Sequence, residues 1–228
     1  MPNPKLHEVF EDKSWSGDKG APRSGHGSSL RRTRRLRKAL PGFLRRYGVK
    51  TFIDAPCGDW TFMQAVDLSM LTSYIGCDIS HALLDANQAE FGTDTTTFRF
   101  LDITCDPLPK GDMLMCRECL IHLRDVNRWA FFENFAASQI DWLLLTIDYV
   151  SGNIPLTADG GHQNFNPMQA PFNLPDPIEI IPESDDAVDP NQLGDPNVGP
   201  WKRKRAMGLW SHNQIVTTVQ QKNTLSAT

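Results

Sequence analysis

The chain has 228 residues, 40% of them apolar, and a formal net charge of −4 at pH 7. That length builds one substantial domain with a full core, and no apolar run approaches the ~20 residues that a membrane span needs, which excludes a helical integral membrane protein. Five scattered cysteines make no disulfide framework, and the polar opening MPNPKLHEVFEDK has no signal-peptide core; together they lead to the expectation of a cytoplasmic location.

The charge is unevenly spread. Basic residues crowd into 31–46 and into Lys202–Arg205, whereas no Lys or Arg occurs between Arg128 and Lys202. A basic helix is one footprint of a nucleic-acid partner. No aromatic side chains interleave with these arginines to stack on bases, so a solvated helix face is the plainer reading and nucleic acid is not expected.

In chain order, residues 1–27 read as loop, and RSGHGSS (23–29) is the most glycine-dense stretch. Ser28 or Ser29 caps an expected helix, LRRTRRLRKAL, with Leu30, Leu36 and Leu40 on one stripe. Pro41 opens a second short helix that ends at Gly48. Strands and helices then alternate. TFID (51–54) is a strand and 60–70 a helix; SYIGCD (73–78) is a strand and SHALLDANQAEF (80–91) a helix capped by Ser80. FRFLDI (98–103) and DMLMC (112–116) are strands, and VNRWAFFENFAASQ (126–139) is a helix with Trp129, Phe132, Phe135 and Ala136 on one face. The apolar WLLLTID (142–148) suits the middle of a parallel sheet. Such alternation predicts βαβ units and an α/β, Rossmann-like, doubly wound sheet. Beyond 150 the pattern breaks: IEII (178–181) and RAMGLW (205–210) are candidate strands, 183–200 is a loop, and the tail from Gln220 frays.

Ligands of doubly wound sheets bind at the carboxyl ends of the strands. Four of the expected strands end at or near an aspartate there: Asp54, Asp78, Asp102 and Asp148. Adjacent carboxylates repel unless they have partners, so the pattern asks for a function. Asp78 lies 20 residues after Gly58, the spacing at which an acidic residue takes ribose hydroxyls in nucleotide-binding βαβ units. Asp102 is placed to accept from an adenine amino group. The turn Pro56–Asp59 carries one glycine, Gly58, where a dinucleotide loop needs several to approach a pyrophosphate. A nucleoside without phosphates fits that turn, and S-adenosylmethionine is one. Asp54 or Asp59 would meet its ammonium, and Arg23, with the amides around Gly25, its carboxylate.

The segments IDAPCGDW, YIGCDIS, FLDITCDPLPKGDMLMCRECLIHL and DYVSGNI, taken together, resemble class I S-adenosylmethionine-dependent methyltransferases. More narrowly they are similar to a bacterial-type subgroup with a D-x-P-C-G-D first motif, in which a Trp and S-G-x-G-S precede the domain and N…A-P-F-N-L-P-x-P and L-W close it; here these are Trp15, SGHGS (24–28), QAPFNLPDP (169–177) and GLW (208–210). The resemblance spans nearly the whole chain. It implies a seven-stranded, mostly parallel sheet with an antiparallel last strand, in one domain: 1–48 covers the cofactor, 49–150 is the cofactor-binding core, and 151–228 supplies acceptor-side loops and the last strands. It extends the cofactor site to Trp15, Ser24, Trp60, Ile79, Ile103, Cys116 and Arg117, and implies an acceptor that is a small molecule or a glycan.

Transfer to a hydroxyl requires the acceptor to be positioned and its proton removed. His122, His162 and Asp148 are the candidate bases. Asp148, Asp159, His162 and Asn164 offer ligands for a divalent cation, but their spacing is loose, and no metal is expected. CRECLIH (116–122) lacks the second ligand pair of a structural zinc site. Arg117 and Glu118 either orient a polar acceptor or form an ion pair that fixes their loop. N- or S-methylation, and a non-catalytic nucleotide- or RNA-binding module on the same fold, are the alternatives.

Overall fold

Five short segments of 4–7 residues become parallel strands. The structure, a computed structural model, describes residues 6–11, 22–183 and 205–226. Strands β1 (Thr51–Asp54), β2 (Ser73–Asp78), β3 (Thr96–Phe100), β4 (Met113–Cys116) and β5 (Trp142–Asp148) pair in parallel, while β7 (Arg205–Ser211) runs antiparallel between β5 and β6 (Glu179–Pro182). The order is β3-β2-β1-β4-β5-β7-β6, a seven-stranded mixed sheet with its last strand antiparallel. Every residue of β4 is buried, as are all but the first of β5, the signature of strands covered on both faces.

Two cores result. On one face α2 (Arg34–Arg46), α3 (His81–Phe91) and residues 57–66 pack against Phe52, Tyr74, Met113 and Leu144. On the other, α4 (Asp125–Ala136), α5 (His212–Ser226) and the short α1 (Leu6–Phe10) cover Ile53, Leu114, Leu143 and Leu145. The order reverses between β1 and β4. Chain leaving β1 and chain leaving β4 therefore turn to opposite faces and open a crevice at the carboxyl ends.

The structure corrects four expectations. The helix expected at 60–70 is a single 3-10 turn, Met63–Ala65. Trp60 adopts a left-handed φ of 56° and buries its ring against Phe91, Phe98 and Tyr74 at centroid distances of 4.8, 5.5 and 5.6 Å. Asx turns close both ends of the segment: Asp59 accepts from the Thr61 amide and hydroxyl, and Asp67 from those of Ser69. Second, the helices expected on either side of Pro41 are one helix, which starts at Arg34 after a turn holding Ser28, Ser29 and an exposed Leu30. Pro41 costs about 3 kcal/mol inside a helix, but Leu36, Leu40, Phe43 and Leu44 are buried along it at about 1.5–3 kcal/mol each. Third, β3 covers Thr96–Phe100, starting two residues and ending three residues earlier than expected, so that Asp102 follows the strand rather than lying in it.

The fourth correction is the C-terminus. The tail expected to fray forms the 15-residue α5. Its start is a capping box: Ser211 Oγ accepts from the Gln214 amide (3.4 Å), and Gln214 Oε1 from the Ser211 amide (2.9 Å). Its last turns are tied to α4 by the Lys222–Glu133 ion pair and by Lys222 Nζ over the Trp129 ring at 5.1 Å. Ile215, fully buried, anchors the helix to the sheet. Ile215→Ala is expected to lower stability by about 2–5 kcal/mol, read as a shifted urea midpoint at constant slope; an unchanged midpoint would mean that α5 is not docked.

Candidate active site

The crevice holds a cavity of about 160 Å³. Its walls come from the loops that follow the first four strands and from two N-terminal segments, 6–11 and 22–28.

The first wall is the turn after β1, formed by Pro56, Cys57 and Gly58, with a cis Ala55–Pro56 bond. Gly58 has φ +56°, and a Cβ there would lie 2.7 Å from Ser24 Cβ. Glycine is therefore required both by the left-handed backbone and by the chain that crosses it. Its amide donates to Asp78 Oδ2 (2.9 Å), and its carbonyl accepts from the buried Asn87 of α3 (2.8 Å).

Asp78 forms the second wall. Its Oδ1 accepts from the amides of Ile79 (2.8 Å) and Ser80 (3.1 Å). With the Gly58 bond, three of the roughly four acceptor positions of a carboxylate are used. Burial pushes the Asp78 carboxyl above its ordinary range, and the Ser80, Gly58 and Ile79 amides pull it back. Beside it lies an apolar slot of Ile79, Leu83, Leu101 and Ile103, closed from the N-terminal side by Leu6 and Phe10. Glu11 seats that segment by accepting from the His81 and Ala82 amides at the start of α3 (3.1 and 3.3 Å). Asp102 also lines the slot, with Oδ1 taken by the Thr104 amide and hydroxyl (2.8 and 2.6 Å).

The third wall is the loop after β4. Arg117, nearly fully buried, donates to Glu183, to the Gly27 carbonyl (2.8 Å) and to Glu118 (2.9 Å), and lies over the Phe62 ring at 5.0 Å. Glu118 has φ +50°. Its carboxylate presses on Gly27 so closely that a Cβ there would sit 1.9 Å from Glu118 Oε2. Burial works to raise the Glu118 carboxyl, but Arg117 and then Arg205 outweigh it and hold it at about 2. Arg205 also binds Asp148 Oδ1 at 2.7 Å. Residues 22–28 are thus a strap across the cavity. It is pinned by Arg117 at Gly27 and by Asp59 at Ser24, whose hydroxyl donates to Asp59 Oδ1 at 2.8 Å.

Of the residues expected at the site, Arg23, Ser24, Pro56, Gly58, Asp78, Ile79, Asp102, Ile103, Arg117 and His122 line the cavity. Trp15 lies outside the described residues. Gly25 is buried in the strap, and Cys116 is buried at the end of β4. Neither Asp54 nor Asp59 reaches the cavity wall: Asp59 is spent on Ser24 and Thr61, and Asp54, 1% exposed, accepts the Tyr74 hydroxyl at 2.6 Å. Trp60 belongs to the aromatic core. Asp148, expected as a candidate base, does not line the cavity, and Arg205 and the Phe165 amide hold its two oxygens. Asp159 is likewise bound to Arg124, at 2.7 and 2.8 Å. His122 Nδ1 lies 2.6 Å from the Gly161 carbonyl, and the exposed His162 ring is 5.5 Å from the His122 ring.

Sequence reasoning missed Phe62, Glu183 and Arg205. Arg205 stands in a run that reads as an ordinary surface patch, and Glu183 at the edge of an acidic loop. No local pattern distinguishes them, since their roles come from strands that pair only in the folded chain.

No family model matches this chain, nor does any curated protein. Solved structures do. The chain is similar to a S-adenosylmethionine-dependent methyltransferase from Leishmania major, with TM-score 0.58 and 9% identity over 81% of this chain and 73% of that one. A second, from Clostridium acetobutylicum, gives 0.54 and 10% over 78% and 90%. The O-methyltransferase from the trans-AT PKS multienzyme of Brevibacillus brevis, in complex with S-adenosyl-L-homocysteine, gives 0.51 and 16% over 84% and 77%. The fold is that of the class I S-adenosylmethionine-dependent methyltransferases. At these identities the likeness carries the architecture alone.

Burial pushes the Asp54 carboxyl from 3.8 up to about 7, against the opposing hydrogen bond from Tyr74. A carboxyl raised in the folded state contributes stability that is complete below pH 3.8 and is lost as the pH rises through about 7. Asp54→Asn mimics the neutral form. Relative to wild type, its unfolding free energy is expected to improve between pH 4.5 and 8.5 by at most about 4 kcal/mol. A pH-independent difference in urea titrations would mean that Asp54 ionises as in water.

Proposed function

We propose that this chain is a S-adenosylmethionine-dependent methyltransferase that methylates a hydroxyl on a small molecule or on a sugar of a glycan. The observation that carries the reading is the Asp78 carboxylate, held by three backbone amides at the mouth of an apolar slot, in the crevice where the strand order reverses. That donor set suits a nucleoside. Asp78 keeps about one acceptor position for a ribose hydroxyl, the slot with Asp102 suits a purine, and Arg23 and Ser24 at the strap suit an amino-acid end. The glycine-poor turn Pro56–Gly58 makes no cradle for a pyrophosphate. The ordered motifs DAPCGD (54–59) and APFNLP (170–175) support the narrower subgroup, and the Brevibacillus O-methyltransferase supports oxygen as the receiving atom.

When bound, S-adenosylmethionine supplies an electrophilic methyl on its sulfonium. The chain's own work is to orient the acceptor and take a proton. His122 is the group we assign to that step. A carbonyl can only accept a hydrogen bond, so at 2.6 Å from Gly161 O its Nδ1 carries the hydrogen and Nε2 the lone pair. Glu118, held ionised at about 2 and close enough to feel the His122 charge, stabilises the imidazolium that forms when Nε2 accepts a proton. His162 is exposed beside His122, outside the cavity wall. The strap and the N-terminal segment 6–11 flank the slot.

Isothermal titration of the purified, folded protein with S-adenosylmethionine and S-adenosylhomocysteine tests the cofactor. Binding of both is expected, and no heat from either would sink the reading. Asp78→Asn should weaken both by about 10-fold or more, through one lost hydrogen bond to a charged acceptor. For chemistry, transfer of labelled methyl is measured across a panel of phenols and sugars. With the acceptor that turns over, His122→Ala is expected to lower the rate by about 10²–10⁴-fold and to leave S-adenosylhomocysteine affinity unchanged. Equal losses in both would assign His122 to binding.

A further inference from the structure

Neither residue expected to meet the cofactor's ammonium, Asp54 or Asp59, reaches the cavity, so that charge still needs a partner. Four carboxylates line the wall: Glu11, Asp78, Asp102 and Glu118. Glu11 gives one oxygen to the His81 amide and the other to the Ala82 amide. Asp78 gives three acceptor positions to backbone amides. Asp102 follows β3 and Glu118 follows β4, and three strand spacings separate those strands in the sheet, about 14 Å. Asp102 and Glu118 therefore stand at opposite ends of the crevice. Of the four, Glu118 is the one whose carboxylate presses on the strap, at Gly27. The strap also carries Arg23 and Ser24, which suit the amino-acid end of the ligand.

The contacts of Glu118 leave half of its carboxylate open. Arg117 (2.9 Å) and Arg205 (2.7 Å) both approach Oε1, and among the described residues no hydrogen bond reaches Oε2. Its neighbour shows the same shortage of donors: Glu183 Oε2 is buried without a partner. The network as a whole sets two cations, Arg117 and Arg205, against three carboxylates, Glu118, Glu183 and Asp148. A further cation balances that count, and a neutral donor does not. Glu118 also holds a φ of +50°, a strained conformation for a residue with a side chain and one that recurs at ligand clamps. We propose that Glu118 Oε2 binds the ammonium of the cofactor's amino-acid end, and so selects a nucleoside that carries the amine over one that lacks it. The assignment rests on the methyltransferase reading above. It puts the carboxylates along the crevice in the order of the ligand's parts: Asp102 after β3 for the purine, Asp78 at the end of β2 for the ribose, and Glu118 after β4 for the ammonium.

The test is isothermal titration of the full chain, wild type and Glu118→Gln, with two ligands: S-adenosylhomocysteine and its analogue with hydrogen in place of the ammonium. Wild type is expected to bind the analogue about 10-fold or more weakly, through one lost charged hydrogen bond. Glu118→Gln keeps an oxygen for the arginines and puts an NH₂ group in place of Oε2. It should lose about 10-fold or more for S-adenosylhomocysteine and less than about 2-fold for the analogue. A merely structural role would weaken both ligands alike, because both use the slot and the strap. Equal losses for the two ligands, an unchanged affinity of Glu118→Gln for S-adenosylhomocysteine, or equal affinities of wild type for the two ligands would overturn the assignment and leave the cofactor reading standing. No binding of S-adenosylhomocysteine by wild type would sink that reading and this assignment with it. If Glu118→Gln does not fold, Glu118→Asp keeps the charge, withdraws it by one methylene, and is judged by the same comparison.

Discussion

Arg117 is the contact on which the site is assembled. A guanidinium this deeply buried persists only with partners, and each of its partners comes from a different part of the chain: Glu118 next to it, Glu183 after β6, the Gly27 carbonyl of the strap and the Phe62 ring after β1. Glu118 passes the network to Arg205 at 2.7 Å, and Arg205 passes it to Asp148 at the end of β5. Two cations and three carboxylates thus join β4, β5 and β7 with the segment after β6. Glu118 and Glu183 share Arg117, and burial leaves Glu183 raised above its ordinary range even so. Removing one member of such a set leaves its neighbours charged and unpaired, which typically costs about 3–5 kcal/mol. The same bonds hold the strap over the cavity. The network therefore links the integrity of the sheet edge to the closure of the site.

The four strand-end aspartates show how one residue type is put to different uses by its surroundings. Asp148 is neutralised by Arg205, Asp54 by burial and by the Tyr74 hydroxyl, Asp102 is half-occupied by Thr104, and Asp78 is fixed by amides while facing the cavity. Repulsion between carboxylates at adjacent strand ends is relieved by a separate device at each. Only the two on the outer strands, β2 and β3, keep an edge on the cavity. Asp54 on β1 and Asp148 on β5 are consumed in hydrogen bonds that hold the crevice together.

This explains what the sequence made legible. The strand positions, the parallel pairing and the place of Asp78 at the end of β2, on the cavity, follow from local pattern: apolar runs of strand length, a capped helix between them, and a carboxylate at fixed spacing from Gly58. What local pattern could not supply was orientation. Asp54, Asp59 and Trp60 stand in the same turn as Gly58, yet a left-handed Trp60 swings the ring into the core and leaves Asp59 facing Ser24. The α5 signal was present as Ser211-His212-Asn213-Gln214, a capping-box spacing obscured by the few strong apolar anchors in the tail. The single helix through Pro41 was hidden for a different reason. Propensity speaks of the residue alone, and four buried side chains override it.

The distribution of charge also bears on the acceptor. No Lys or Arg occurs between Arg128 and Lys202, the stretch that supplies the loops after β5. Among the described residues, three cations near these loops are engaged: Arg117 with Glu183 and Glu118, Arg124 with Asp159, and Arg205 with Glu118 and Asp148. On the proposed reading, a phosphorylated or carboxylated acceptor would find these cations already committed. A neutral hydroxyl suffers no such penalty and needs only an imidazole within reach, which the His122–Gly161 contact orients. On the proposed reading, the ion pairs that hold the site together leave an uncharged alcohol as the better-matched acceptor.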